Sequence, residues 1–345
     1  MPCAVDGSRT GACLAYRGGV HTLPLARSVV DPAAHRRAEP DLLDELWTDP
    51  GTLVVVVHEG RLPLAGDSDR LDLRAPAQLG GLEPGGDDAV WVFLGQCDER
   101  AYLAVLLADL PPEPSSLAGV LEDAGPGELG SWLPTVRWGR LRDVGHALGD
   151  RDADLATTAV ALAEWHARHP RCSRCGTSTR PEQAGWVRRC PADGAEDYPR
   201  TDAAVIMAVT DDAGRILLAH GAHWPPHRYS TLAGFVEPGE SLETAVRREV
   251  VEETGVVVDE VDYVASQPWP FPASLMLGFR AHATTTDVVV DGKELTDARW
   301  FTRAELEAAL TAGEVLLPMR TSIALALIEE WFGGTLPASP LPSSG

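Results

Sequence analysis

The sequence predicts an α+β chain with an N-terminal α/β domain, a small cysteine-bearing module and a C-terminal domain on a mixed sheet. Three observations point there. Apolar strand-like runs alternate with helix-like segments in both halves, and three of the six cysteines crowd into residues 172 to 190. An acidic loop, helix and loop stands between the strand runs of the C-terminal half. At 345 residues the chain has room for two domains, or three if one is small.

In order, residues 1–20 show no periodicity and are expected to form a flexible extension. Residues 21–165 are expected to be a scaffold or dimerisation domain. Pro40 to Trp47 reads as a helix, and Leu53 to Val57, Val90 to Gly95 and Tyr102 to Leu110 read as buried strands between Gly- and Pro-rich turns. No catalytic constellation appears among them. Arg151 to His166 combines helix formers with an apolar stripe, opened by aspartates that suit a helix start.

Residues 166–198 hold the cysteine module. Cys172 and Cys175 form a C-x-x-C knuckle, and Cys190 follows at the distance a zinc ribbon uses. The usual fourth cysteine is replaced by Asp193. Zinc accepts a carboxylate oxygen, so Cys172, Cys175, Cys190 and Asp193 are a candidate tetrahedral site for one Zn2+. A three-ligand site, or a packed knuckle without metal, fits the same letters.

Residues 199–333 are expected to form the C-terminal domain. Tyr198 to Gly221 reads as two strands joined at Asp211 to Gly214. After the acidic helix, strand signals recur on both sides of a Pro-stiffened loop and again at Ala298 to Phe301. Thr302 to Leu310 and Ser322 to Trp331 read as helices. Residues 334–345 have no means of forming a core and are expected to be disordered.

The acidic segment, Gly234 to Val256, reads GFVEPGESLETAVRREVVEETGV. Pro238, Gly239 and Ser241 break the chain before the helix and Gly255 ends it, while Leu242, Val246 and Val250 form a stripe to bury. Glu249, Glu252 and Glu253 share one face at i, i+3 and i+4. Arg248 can pair with Glu252, but excess negative charge remains, and a hard divalent cation held with substrate phosphates would neutralise it. Mg2+ or Mn2+ is therefore the expected partner. The segment fits G-x5-E-x7-R-E-U-x-E-E-x-G-U, U being bulky and apolar, which is the signature of the Nudix box.

The net charge of −22 argues against a chain built for indiscriminate binding to nucleic acid or anionic membrane. No apolar run approaches the ~18 residues needed to span a bilayer, and the first residues lack a secretory pattern, so a cytoplasmic protein is expected. Clustered cysteines suit a metal site in a reducing compartment better than a disulfide framework.

Beyond the box, Ser266 to Met276 reads SQPWPFPASLM. With the knuckle and the Tyr-Pro-Arg at 198–200, it resembles the NADH pyrophosphatase branch of the Nudix hydrolases, the NudC-type NAD diphosphatases. The resemblance covers about residues 135 to 333 strongly; Asp193 is the departure from it. It implies a Nudix α/β/α sandwich, a homodimer, and hydrolysis of the NADH or NAD+ pyrophosphate to nicotinamide mononucleotide and AMP. Removal of NAD caps from RNA is the alternative substrate use. By motif, the metal-binding carboxylates are Glu249, Glu252, Glu253 and Glu294; the hydrolysis also needs a group to take the water's proton, for which any of the three box carboxylates is available and Glu253 is the one expected. Tyr198 and Phe235 match positions that sandwich a base, one from each subunit, and Gln267, Ser274 and Met276 match pocket positions.

A non-catalytic nucleotide-binding regulator would have lost box glutamates, and all are present. Seven arginines between 168 and 200, against four acidic residues, make a basic island that an RNA substrate could use, although base composition and the solubility of the ribbon account for the same letters.

Overall fold

The structure is a computed structural model that describes residues 23–337, apart from residues 68, 81, 86–88 and 108–131. The expected N-terminal extension, the end of the tail and the end of the strand run at 102–110 lie outside the described residues. Within them the chain forms two compact units, residues 27–200 and residues 201–337 together with Leu23 to Ala26.

The first unit carries α1 (Leu42–Thr48) and a five-stranded sheet made of β1 (Leu53–His58), β2 (Arg61–Leu64), β3 (Ala89–Cys97), β4 (Arg100–Leu107) and β5 (Arg137–Arg140). Its order is β3-β4-β1-β2-β5, with β1 and β4 parallel and the other pairs antiparallel. The expected helix and strand runs are all here. The sequence reading missed β2 and β5, which are four residues each and too short for a periodic signal. α2 (Asp150–Arg168) follows, longer at both ends than expected, with two aspartates in its first turn where the helix dipole favours them.

The cysteine module is a three-stranded sheet of β6 (Arg180–Glu182), β7 (Val187–Arg189) and β8 (Glu196–Asp197). Its β6–β7 turn is stitched to β3. Phe93 N–H donates to the Ala184 carbonyl at 3.0 Å, and Trp186 Nε1 donates to the Phe93 carbonyl at 2.7 Å. At Gly185 φ is +84°, and an added Cβ would lie 2.5 Å from the Trp91 carbonyl oxygen, so only glycine permits this approach.

The second unit is an α/β/α sandwich. β9 (Asp202–Thr210), β10 (Ile216–Gly221), β11 (Leu232–Phe235), β12 (Val258–Trp269), β13 (Ser274–Ala283) and β14 (Leu295–Phe301) form one sheet in the order β12-β13-β9-β10-β14, with β11 also on β9. β13 runs parallel to β9 and the rest are antiparallel, which gives the expected mixed sheet. Alternation along β9 builds both layers. Val205, Met207 and Val209 pack towards Val246 and Val250 of α3 (Leu242–Thr254). Ile206 and Ala208 pack towards Leu306 and Leu310 of α4 (Arg303–Ala312) and Ile323 and Leu327 of α5 (Ile323–Phe332). No helix among the described residues is long and apolar enough to cross a membrane.

Candidate active site

α3 starts and stops where its letters say. The Ser241 hydroxyl accepts from Thr244 N–H at 3.3 Å, and Gly255 closes the helix at φ +71°. Ala245, Val246 and Val250 are fully buried, which fixes the rotation of the helix and brings Glu249 and Glu253 in beside the buried stripe.

The three box glutamates differ in environment. Glu252 is exposed, Glu249 is half-buried and Glu253 is only 8% exposed. Burial raises the carboxyl of Glu253 from the ordinary 4.5 to about 8, helped by the charges of Glu249, Glu294, Asp291 and Glu252. Burial also raises Glu249. Glu253 Oε2 is buried without a hydrogen-bond partner. A bare buried oxygen among carboxylates that raise one another's proton affinity fits a hard divalent cation, which supplies the missing charge.

Arg248 braces the cluster, and it does more than pair with Glu252. Its Nε and Nη2 donate to the two oxygens of Glu240, each at 2.9 Å, and Nη2 also donates to the Phe235 carbonyl at 2.9 Å. Nη1 reaches Glu249 at 2.8 Å and Glu252 at 3.1 Å. This fork ties the loop to the helix and holds the Glu240 carboxyl below its usual range. Glu240 is a specified position of the box, so its letter was legible although its partner was not.

Gly234 supplies the cradle for Glu249. A Cβ added there would lie 1.9 Å from Glu249 Cδ, so the carboxyl occupies the space a side chain would take. The next residue on β11 serves the opposite face. There, Phe235, Ala204, Met276 and Gln267 are successive partners across β11, β9, β13 and β12 and make one rung. Ser274 lies two residues along β13, on the same face, opposite Trp269. Phe235 is 59% exposed at the free end of the rung, whereas Gln267 is fully buried. Its Nε2 donates to the Thr321 carbonyl at 3.0 Å, and its Oε1 has no partner. Tyr198, in the first unit, is 58% exposed, with its hydroxyl donating to Glu196. A cavity of about 530 Å3 lined by Leu23, Arg320, Leu325 and Glu329 lies against α5 and holds none of these residues.

In the module, the donor atoms of Cys172, Cys175, Cys190 and Asp193 all lie within 4.8 Å of one another. Cys175 Sγ is 3.4 Å from Cys190 Sγ, and Asp193 Oδ2 is 3.6 Å from Cys172 Sγ. Three sulfurs and a carboxylate converging in this way fit zinc.

Three family models match consecutive parts of the chain. They are the NADH pyrophosphatase-like rudimentary NUDIX domain over residues 51–165, the NADH pyrophosphatase zinc ribbon domain over 167–198 and the NUDIX domain over 199–319. The chain belongs to the NADH pyrophosphatase branch of the Nudix hydrolases. Similar proteins include the NAD-capped RNA hydrolase NudC of Mycobacterium tuberculosis, 45% identical over 201 residues, which are 55% of this chain and 64% of that protein. The NAD-capped RNA hydrolase NUDT12 of Homo sapiens is 42% identical over 196 residues, 53% of this chain and 42% of its own length. The match thus spans less than two thirds of each of these relatives. Among solved structures, a NUDIX hydrolase from Nitrosomonas europaea aligns with 48% of this chain and 94% of its own, at 23% identity and a TM-score of 0.37.

Proposed function

We propose that this Nudix hydrolase cleaves the pyrophosphate of NADH or NAD+, releasing nicotinamide mononucleotide and AMP. The observation that carries the reading is the β11 pair Gly234 and Phe235. One strand turns its successive residues to the acidic cluster on one face and to the rung of Met276 and Gln267, within SQPWPFPASLM, on the other. The acidic cluster and the rung are thereby served by consecutive residues of one strand.

Glu249, Glu252, Glu253 and Glu294 would hold Mg2+ or Mn2+, which neutralises phosphate charge when bound. The chain's own residues do the rest. Glu253, the most buried of the three box carboxylates, takes the proton of the attacking water. Arg248 keeps Glu249 and the loop in place. The exposed ring of Phe235 stacks on a base, and Tyr198 is the matching aromatic from the other subunit of a homodimer. Cys172, Cys175, Cys190 and Asp193 hold a structural Zn2+.

NAD-capped RNA is the second reading, favoured by the names of the two relatives. The basic island supports it less than its letters suggest. Arg188 is buried, donating to Thr179 Oγ1 and to His166 Nδ1, while Arg168 pairs with Glu164 and Arg189 with Glu182 and Glu196.

The test is product analysis with NADH and Mn2+, using wild type and Glu253→Gln. The variant keeps the shape and removes the charge, so turnover should fall at least ~100-fold. Near-normal turnover in the variant would defeat the assignment of Glu253.

A further inference from the structure

We propose that Asp291 is the positioning residue for Glu294, holding a proposed metal ligand that lies outside the box helix. This rests on the reading of the glutamates as the metal site. Glu294 stands on the loop before β14, in an exposed stretch with no regular structure to fix it. The Asp291 carboxylate takes over that task. Its two oxygens accept from Glu294 N–H at 3.1 and 3.0 Å, and Oδ1 also accepts from Leu295 N–H at 3.0 Å. On its other side the Glu294 carbonyl accepts from Ala222 N–H at 2.8 Å, so the peptide is held at both ends.

The same loop is anchored to the end of α3. Val289 N–H donates to the Thr254 carbonyl at 2.9 Å, and Asp291 N–H donates to the Glu253 carbonyl at 3.3 Å. Asp291 therefore connects the backbone of Glu253 to the backbone of Glu294. The unpartnered, buried Glu253 Oε2 marks where a cation is wanted, and the charges of both Glu294 and Asp291 act on Glu253. Asp291 adds negative charge there, but both of its oxygens are turned onto backbone N–H groups, which hold its carboxyl below the usual range. It acts through Glu294. Without it, Glu294 must be ordered at the moment the cation binds, and that ordering is subtracted from affinity.

The experiment is a Mn2+ titration of the full chain followed by electron paramagnetic resonance of the free ion, with melting temperatures recorded without metal. The soft thiolates of the cysteine module take Mn2+ poorly. Asp291→Ala should weaken Mn2+ binding ~10-fold or more, the usual scale for losing a group that orients a ligand. Asp291→Asn, whose amide oxygen still accepts from the backbone, should recover most of it. In a Glu294→Gln background Asp291→Ala should add nothing, because the residue through which it acts is already lost. If Glu294→Gln weakens binding while Asp291→Ala stays within about twofold of wild type, the inference falls and the metal-site reading stands. Further weakening in the Glu294→Gln background would make Asp291 a ligand or a fold determinant and overturn the inference. Wild-type affinity in Glu294→Gln would overturn the metal-site reading and the inference together.

Discussion

Gly234→Ala separates the glutamate cluster from the fold. The added methyl would lie 1.9 Å from Glu249 Cδ and 2.0 and 2.3 Å from its oxygens. To reach ordinary contact the carboxyl must retreat by roughly 1.5 Å, a displacement of the size that costs ~100-fold when it misplaces a reacting constellation. The move also breaks the 2.8 Å contact with Arg248 Nη1. Arg248 keeps both bonds to Glu240 and its bond to the Phe235 carbonyl, so the loop should hold. The steric cost falls on a flexible side chain, which places it near the lower end of the ~1–3 kcal/mol typical of overpacking. NADH turnover with Mn2+, run beside thermal melting, is the assay. The expected result is turnover down by about two orders of magnitude with a melting shift of only a few degrees. A folded variant retaining more than about a third of wild-type turnover would refute the cradle and the role given to Glu249.

Other consequences are equally open to test. Glu253 binds its proton more tightly folded, at about 8, than unfolded, at 4.5, so without cation stability should fall by ~1.4 kcal/mol per pH unit as pH rises between those values. Mn2+ should therefore raise the melting temperature more at pH 8 than at pH 6, and in Glu253→Gln that difference should shrink; an unchanged difference would remove Glu253 from the cation site. Protein purified after growth with ample zinc should contain close to one zinc per chain, with Asp193→Ala weakening its retention and Asp193→Cys strengthening it. Zinc-free protein with Cys172, Cys175 and Cys190 titrating as free thiols would contradict the tetrahedron. Phe235→Ala should lose ~1–3 kcal/mol of base stacking without unfolding, and mixing it with Tyr198→Ala should restore activity through heterodimers. A mixture no better than its parents would argue against a shared pocket.

The box was legible because its letters act locally. Ser241 and Gly255 bound α3, the Val246 and Val250 stripe sets its rotation, and spacing alone puts Glu249, Glu252 and Glu253 on one side. What escaped acts through backbone or across strands. Asp291 works on N–H groups three and four residues on, with no periodicity to show it. The rung joining Phe235 to Gln267 depends on the register of four strands, which no local pattern encodes. Arg188 shows the converse error, since counting letters made it part of a basic surface whereas the fold buries it against His166 and Thr179. β2 and β5 are edge-side segments of four residues, too brief to announce themselves.

The most direct measurement compares turnover of NADH, NAD+, ADP-ribose and NAD-capped RNA by the wild-type chain with Mn2+, with products identified by mass. The account predicts nicotinamide mononucleotide and AMP in equal amounts from the free dinucleotide, or nicotinamide mononucleotide and a 5′-monophosphate end from capped RNA. Cleavage of ADP-ribose with NADH, NAD+ and capped RNA all left intact would contradict it.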